Sequence, residues 1–410
     1  MNSKEIFSMA LNLDDPWYIK DVRMSKQDGA VSGQIDIYID FKRGSKFPGA
    51  ASQACNVHDT IERKWQHLNF FEHACYLHAR VPRIIDHNNK VKTVQVPWAR
   101  MNSGFTLLFE AYSMLLIESE MPVKQAAKVV KIYDTRLWRI FKHWVEKAFN
   151  ACDLSQMKNV GIDETSNRKG HNYVTIAVDL DKKKVVYATP GKDSSCLDRF
   201  QSHIQEKGCN PENIKQASID MSPAFITGIM KNFPNAQITF DKFHVAKLIN
   251  EAMDSLRKSE RKEIRELIGR KYLFLKNDNK LNKQEISAKY HLLTAYPKLG
   301  EAYRLKELFN DFWDMKDTEE ASGYLAYWCD LVEESAIEPF MKAARTIKAH
   351  WTGIVNYIAS RINNGILEGI NSKIQLAKKR ARGYRNPNNF INMIYFVAGK
   401  LKFDYPLYLA

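Results

Sequence analysis

The sequence predicts a mixed α/β protein, and three observations predict it. The run Gln34-Ile35-Asp36-Ile37-Tyr38-Ile39-Asp40-Phe41 alternates polar and apolar residues, the period of a strand with one buried face. Between residues 160 and 241, three strand-like runs are followed by helix, strand, helix and strand. From Lys242 to about His350 the chain is helical and charged, with no strand period.

The bulk numbers narrow the class. A chain of 410 residues, 45% of them hydrophobic, supports two or three domains with real cores. Lys and Arg number 61 against 47 Asp and Glu, a net charge of +14. That surplus points to a polyanionic partner, nucleic acid first. No apolar run approaches the ~18 residues of a membrane span. Met1-Asn2-Ser3-Lys4-Glu5 lacks a signal-peptide core. Six cysteines without a CxxC pair fit a reduced compartment. A cytoplasmic, nucleoid-associated protein with no membrane partner is expected.

Residues 1–100 read as a small β-rich module. Ile35, Ile37, Ile39 and Phe41 form one strand face, and Leu77–Val81 and Val91–Val96 are further strands. His58, His67, His73, His78 and His87 raise the idea of zinc, yet only Cys55 and His58 are spaced like a ligand pair, where a structural site wants four ligands. Ordinary hydrogen-bonded histidines are the plainer reading.

Residues 101–153 turn helical. Phe105, Leu108, Phe109, Tyr112, Leu115 and Leu116 recur at helical spacing. Pro122 opens a short helix, a break follows at Ile132-Tyr133, and Asp134 or Thr135 can cap the next helix. That helix buries Leu137, Ile140, Phe141, Trp144, Val145 and Ala148. Arg136, Arg139 and His143 share its opposite face, and Lys142 adds to the basic surface. Two short helices, a tight turn and a basic second helix form a helix-turn-helix pattern. A plain helical hairpin is the alternative.

Residues 154–249 begin with a strand, Val160–Asp163. His171–Leu180 and Lys184–Thr189 complete a meander. Cys196–Glu206 is a helix, Lys215–Asp220 a strand, Pro223–Phe233 a helix and Gln237–Asp241 a strand. This order is that of a ribonuclease-H-like mixed sheet, here the first part of a catalytic core. Residues 250–350 read as an all-α insertion whose aromatics, Phe309, Phe312, Trp313, Tyr324, Tyr327 and Trp328, belong to its core. Residues 351–410 resume the core as a helix over 354–381 with a ridge of Ile362, Ile366, Ile370 and Ile374. Glu368 lies on its polar face with Asn364, Asn371, Ser372 and Gln375. It is the sole acid among nine cations from 361 to 402, which include Lys373, Lys378, Lys379, Arg380, Arg382 and Arg385. Such an arrangement makes sense if the cations bind phosphates and the acid binds metal.

Asp163 and Asp220, each expected at a strand end, complete a set of three carboxylates with Glu368. Magnesium prefers oxygen ligands, and two ions about 4 Å apart serve both oxygens of an in-line phosphoryl displacement. On pattern alone, capping or salt-bridged acids compete with this reading.

Longer runs carry a family resemblance. They include Val57-His58-Asp59-Thr60 with Trp65-Gln66-His67-Leu68, Tyr76 to Arg83, and Val96-Pro97-Trp98-Ala99-Arg100. Further on are Asp134 to Arg139, Gly161-Ile162-Asp163-Glu164, Asp220-Met221-Ser222-Pro223, Asp241-Lys242-Phe243-His244-Val245, and Asn364 to Asn371 with Ala381 to Tyr384. In these the chain resembles ISL3-type insertion-sequence transposases. The resemblance implies a DDE transposase with a ribonuclease-H-like core, catalytic and metal-holding acids Asp163, Asp220 and Glu368, and two Mg²⁺ (or Mn²⁺) ions. Such an enzyme cuts DNA at the element ends and joins the 3′-hydroxyl ends to target DNA, as a homodimer or larger assembly. It also implies an auxiliary Asp241/His244 pair, a helix-turn-helix that reads terminal inverted repeats, and an N-terminal zinc-ribbon-like module. Where related chains carry cysteine pairs, this one has Gly49 to Gln53 and Asp86 to Asn89, which leaves zinc doubtful. The rival readings are a catalytically inactive or domesticated DNA-binding protein and a structure-selective nuclease of the same fold.

Overall fold

The computed structural model describes residues 3–26, 32–49, 53–85, 89–168, 172–276, 278–362 and 365–405. Two compact units divide the chain, Met1–Trp144 with Lys402–Ala410, and Val145–Leu401.

The first unit opens with helix α1 (Ser3–Ala10), followed by strands β1 (Trp17–Ser25), β2 (Gln34–Phe41), β3 (Lys46–Pro48), β4 (Ala54–Phe70), β5 (His73–Ile85) and β6 (Val91–Thr93). The sheet order is β1-β2-β5-β4-β3, with β6 on β5, and only β2 with β5 pairs in parallel. Ile35, Ile37, Ile39 and Phe41 face inward as the alternation requires. Strands β1, β3 and the 17-residue β4 were not foreseen, because β4 reads Asn56 to Gln66 as mixed charge rather than clean alternation. The expected strand to Val96 stops at Thr93, where Val94 and Val96 turn into the core. Trp17 and Trp65 meet Trp98 edge-on, with ring centroids 5.0 and 5.7 Å apart, and Phe41 and Phe47 complete an aromatic core.

Helices α2 (Leu107–Glu118), α3 (Val123–Val129) and α4 (Asp134–Asn150) follow, with α4 crossing the boundary between units. The α2 stripe is not the one its periodicity suggests. Phe109, Met114 and Ile117 are buried, along with Glu110, while Leu108, Tyr112, Leu115 and Leu116 are half-exposed. The reason is Glu110, fully buried as the acceptor of a four-bond hub. Arg100 Nε donates to both its oxygens at 3.0 and 2.8 Å, Ser103 Oγ at 2.6 Å and Trp144 Nε1 at 2.9 Å. A buried charge is tolerated only when it is paired and saturated in this way.

The second unit holds β7 (Asn159–Arg168), β8 (Asn172–Asp179), β9 (Lys184–Pro190), α5 (Ser195–Glu206), β10 (Gln216–Ile219), α6 (Pro223–Asn232) and β11 (Gln237–Phe240). Its sheet runs β11-β10-β7-β8-β9. The β7-β8-β9 meander is antiparallel, and β10 and β11 join β7 in parallel. The element order therefore matches expectation, but Asp163 does not end a strand. Pairing with β8 carries β7 on to Arg168, so Asp163 lies mid-strand. Asp220 does follow a strand end directly.

Everything from β11 to the last two helices is helical: α7 (Lys242–Glu260), α8 (Lys271–Leu275), α9 (Lys283–Ala295), α10 (Pro297–Asp311), α11 (Thr318–Ser335), α12 (Glu338–Ala349) and α13 (Trp351–Ser360). Phe309, Phe312, Trp313 and Trp328 are core, as expected, whereas Tyr324 is half-buried and Tyr327 exposed. Their core is continuous with that under the sheet. The helix expected over 354–381 is two helices, α13 and α14 (Gly365–Arg380), followed by α15 (Pro387–Ala398). Arg361 breaks it in a left-handed conformation, φ +49°, with its guanidinium donating to the carbonyls of Trp313 and Met315. The buried ridge of α14 is accordingly Leu367, Ile370 and Ile374 rather than the isoleucine series. Asn363 and Asn364 lie outside the described residues.

Glu110→Ala should destabilise the protein by about 2–4 kcal/mol, since it strands a half-buried guanidinium and a buried indole N–H, and Glu110→Gln should cost less. Denaturant unfolding checks this, and a loss under about 1 kcal/mol for the alanine variant would deny the hub its structural role.

Candidate active site: an acid row beside a helix

The site is built where α14 lies along β7. Gly161, Asp163 and Thr165 alternate onto one face of the strand. Leu367 packs on Gly161, where a Cβ would come within 2.9 Å of its side chain and of Leu180. Asn371 Nδ2 donates to Asp163 Oδ2 at 2.6 Å, and Gln375 Nε2 to Thr165 Oγ1 at 2.7 Å. Lys378 Nζ donates to the Ser166 carbonyl at 2.5 Å. Four helical residues rise about 6 Å and two strand residues about 6.6 Å, so positions 367, 371 and 375 keep step with 161, 163 and 165.

The sheet register sets a row of acids across this seam. Ser218 pairs with both Gly161 and Thr239. Two residues further on, the three strands reach Asp163, Asp220 and Asp241 at one level. Asp241 N donates to the Ile219 carbonyl at 3.1 Å, holding the second and third together. Asp220 Oδ1 accepts from Ser222 N at 3.0 Å and opens α6, which Pro223 begins. Asp241 caps α7, accepting from Phe243 N at 2.9 Å, and its other oxygen lies 3.0 Å from His244 Nδ1.

The electrostatics show how near these groups are. Burial pushes the Asp163 carboxyl up to about 6. The Glu164 amide and the His244 charge oppose this, while the negative charges of Asp220 and Asp241 add to it. Glu164 is raised by its own burial and by Asp220. His244 is raised, chiefly by its hydrogen bond to Asp241 and further by Asp220 and Asp163, and stands as the counter-ion of the row. Asn371 Oδ1 is buried, with no hydrogen-bond partner among the described residues. Carboxylates held against their preference to ionise, beside an orphaned acceptor, fit a hard divalent cation and its bound water.

Glu368 is exposed on α14, three residues before Asn371 and therefore about 60° around the helix from it. Among the described residues, no three His, Cys, Asp or Glu side chains converge closely enough to hold one metal ion. The structure thus sets Asp163, Asp220, Asp241 and His244 within electrostatic reach of one another and puts Glu368 on α14 directly after Leu367 of the seam. Asn371 and Glu164 carry no role in the reading from sequence alone. The signal for Asn371 was its four-residue spacing from Leu367 and Gln375, set against a strand of period two.

The basic candidates divide. Lys373, Lys379, Arg380, Arg382 and Arg385 are exposed, whereas Lys378 is spent on the Ser166 carbonyl. On α4, Arg139 and Lys142 are exposed, His143 is half-buried, and Arg136 lies over the Phe105 ring, 4.3 Å from its centre. In the N-terminal sheet three of the five histidines are hydrogen-bonded: His67 to Thr106, His73 to Gly33 N and His78 to Asp36. His87, with Ala50 to Ser52 and Asp86 to Asn88, lies outside the described residues.

Comparison with known proteins defines the class, transposases of insertion sequences. A transposase model of the DDE, ISL3 type matches residues 160–394, more than half of the chain, and so contains the whole acid row. The helix-turn-helix domain of transposase family ISL3 matches residues 94–145, and the zinc-finger of transposases IS204/IS1001/IS1096/IS1165 matches 48–85. The chain belongs to the ISL3 family of transposases. It is similar to the transposase for insertion sequence element IS1001 of Bordetella parapertussis, 28% identical over 246 residues, which span 58% of this chain and 60% of that one. It is similar also to the transposase for IS1557 of Mycobacterium tuberculosis, 25% identical over 348 residues and 76% of each chain.

Asp163 gives a pH signature. Its folded-state pKa lies above that of an unfolded aspartate, so ionisation opposes folding at every pH above about 6 and ceases to matter below about 4. Asp163→Asn in EDTA should therefore raise stability at pH 8 by about 1–2 kcal/mol, allowing for residual solvent contact. The gain should fade as pH falls from 6 to 4. Thermal melts at the two ends of that range check it, and an equal gain at both would refute the assignment.

Proposed function

We propose that the chain is an active DDE transposase whose second unit is a ribonuclease-H-like core, with Asp163, Asp220 and Glu368 as the carboxylates that hold two divalent ions, Mg²⁺ or Mn²⁺. The observation that carries this is the register of Asp163, Asp220 and Asp241 across three parallel strands, with Asn371 tying the turn after Glu368 to the first of them. When bound, such ions stabilise the attacking and leaving oxygens of a phosphodiester in line. The chain's own groups do the rest. Asp163 and Asp220 would hold the ions through their carboxylate oxygens. His244, hydrogen-bonded to Asp241, would supply positive charge beside them. Asn371 keeps the Asp163 carboxylate turned to one side. Exposed Lys373, Lys379, Arg380, Arg382 and Arg385 contact phosphates, and the α4 face with Arg139 and Lys142 enters the major groove.

In this reading residues 1–100, 101–153, 154–249, 250–350 and 351–410 are respectively the N-terminal module, the helix-turn-helix region, the first part of the core, its insertion and its second part. The protein binds the terminal inverted repeats of its element as a homodimer or larger assembly in the bacterial cytoplasm, frees a 3′-hydroxyl by hydrolysis and joins it to target DNA. Among the described residues no helix is long and apolar enough to cross a membrane. A second reading, DNA binding without cleavage, is favoured because Glu368 is exposed and, among the described residues, no three acidic, His or Cys side chains gather closely enough to hold a metal ion.

Asp163→Ala, Asp220→Ala and Glu368→Ala should each abolish nicking and strand joining in Mg²⁺ or Mn²⁺ while leaving end binding within about threefold, as removal of a group used only in the chemical step does. Gel assays on element-end duplexes decide. A variant that cuts at the wild-type rate takes its residue out of the site, and a wild-type protein that binds but never nicks establishes the second reading.

A further inference from the structure

Beside the acid row lies a groove that the chemistry above does not use. Helix α7 lines one wall with Phe243, Ala246, Lys247, Asn250, Glu251 and Asp254, and α8 supplies Lys271 and Leu275 opposite. The cavity between them measures about 290 Å³, room for a planar base and part of its sugar. Phe243 stands at the mouth and is 66% exposed, a large apolar ring left in water. Its edge meets the His244 ring, with centroids 5.8 Å apart, and His244 in turn contacts Asp241. Phe243 therefore links the groove wall to the row through His244.

Its charges suit a nucleotide. Asp254, at the far end, is neutralised by Arg257 at 2.7 Å and Lys258 at 2.9 Å. Glu251 faces Lys247 at a loose 3.8 Å, and Lys271 approaches Asp254 at the same distance. Each lysine is about half-exposed and can swing to a phosphate, while the amide of Asn250 and the Glu251 carboxylate offer hydrogen bonds to a base edge. An apolar ring flanked by mobile cations is how proteins hold unpaired bases, because every base has a face to stack and a phosphate to neutralise. Bases lifted from the helix next to a reacting phosphodiester need such a place.

We propose that the α7–α8 groove takes an unpaired nucleotide of the bound DNA, its base stacked on Phe243 and its phosphate between Lys247 and Lys271. The inference rests on the transposase reading only for the identity of the DNA. The stacking itself needs no cleavage.

The test uses the full chain in EDTA with a fluorescein-labelled forked duplex whose single-stranded arm carries either normal bases or one abasic site at each of the first four positions. In the wild-type protein one position should lose about tenfold in affinity when its base is removed, the weight of one base–aromatic stack. In Phe243→Ala that penalty should vanish, and in Phe243→Trp it should persist. Phe243 is exposed, so the alanine variant keeps its fold, which a thermal melt verifies. An abasic penalty that survives in Phe243→Ala, or none at any position in the wild type, overturns the proposal. Nicking of an intact duplex in Mg²⁺, measured in parallel, reports on the acid row alone, so failure of either idea is read separately.

Discussion

The second unit depends on the match in pitch between α14 and β7. A helix and a strand laid side by side normally drift out of step, and contacts recur only by chance. Here Leu367, Asn371 and Gln375 meet Gly161, Asp163 and Thr165 in order, one apolar contact and two hydrogen bonds. The apolar contact needs the glycine, since any side chain there would lift the helix off the strand. With the helix seated, Asn371 reaches a half-buried carboxylate that would otherwise have lacked a donor on that side, and the turn carrying Glu368 is brought to the same edge. The acid row is therefore not an isolated cluster. It is one rung of a ladder whose other rungs are structural.

Charge on this rung is balanced unusually for so basic a chain. With a net charge of +14, cations are plentiful, yet the positive charge set against Asp163 and Asp241 is that of a histidine, His244. Elsewhere two buried acids are met by cations: Glu110 has Arg100, and Asp254 has Arg257 and Lys258. The contrast sets the row apart. Glu110 and Asp254 are met by cationic donors, whereas Asp163 keeps an elevated pKa chiefly because it is buried, with the charges of Asp220 and Asp241 adding to the effect.

Much of the fold was legible from the chain. The alternation at 34–41, the meander and the βαβ run after it, and the break before Asp134 all gave the right elements, because each rests on local period or capping chemistry. Asp220 was legible because Ser222-Pro223 marks a helix opening just past a strand. The long strand β4 was not, since its charged outward residues blur the alternation. Nor was the break at Arg361, which is stabilised by carbonyls almost fifty residues away. Asp241 was legible only as the partner of His244 that the resemblance implies, and its level with Asp163 and Asp220 follows from strand pairing, which no local pattern reveals. The partnership of Asn371 and Asp163 is of the same kind.

That last partnership joins residues 208 positions apart. During synthesis the chain emerges in order, at some 5–20 residues per second. The strand bearing Asp163 must therefore wait upwards of ten seconds for the helix that completes its edge, and the helical layer from 242 to 360 emerges first. By then the helix-turn-helix is already outside the ribosome. Yet the first unit is the later of the two to be finished, because its final segment, Lys402–Ala410, is the end of the chain, and only then does Tyr405 meet the edge of the Trp144 ring at 5.5 Å.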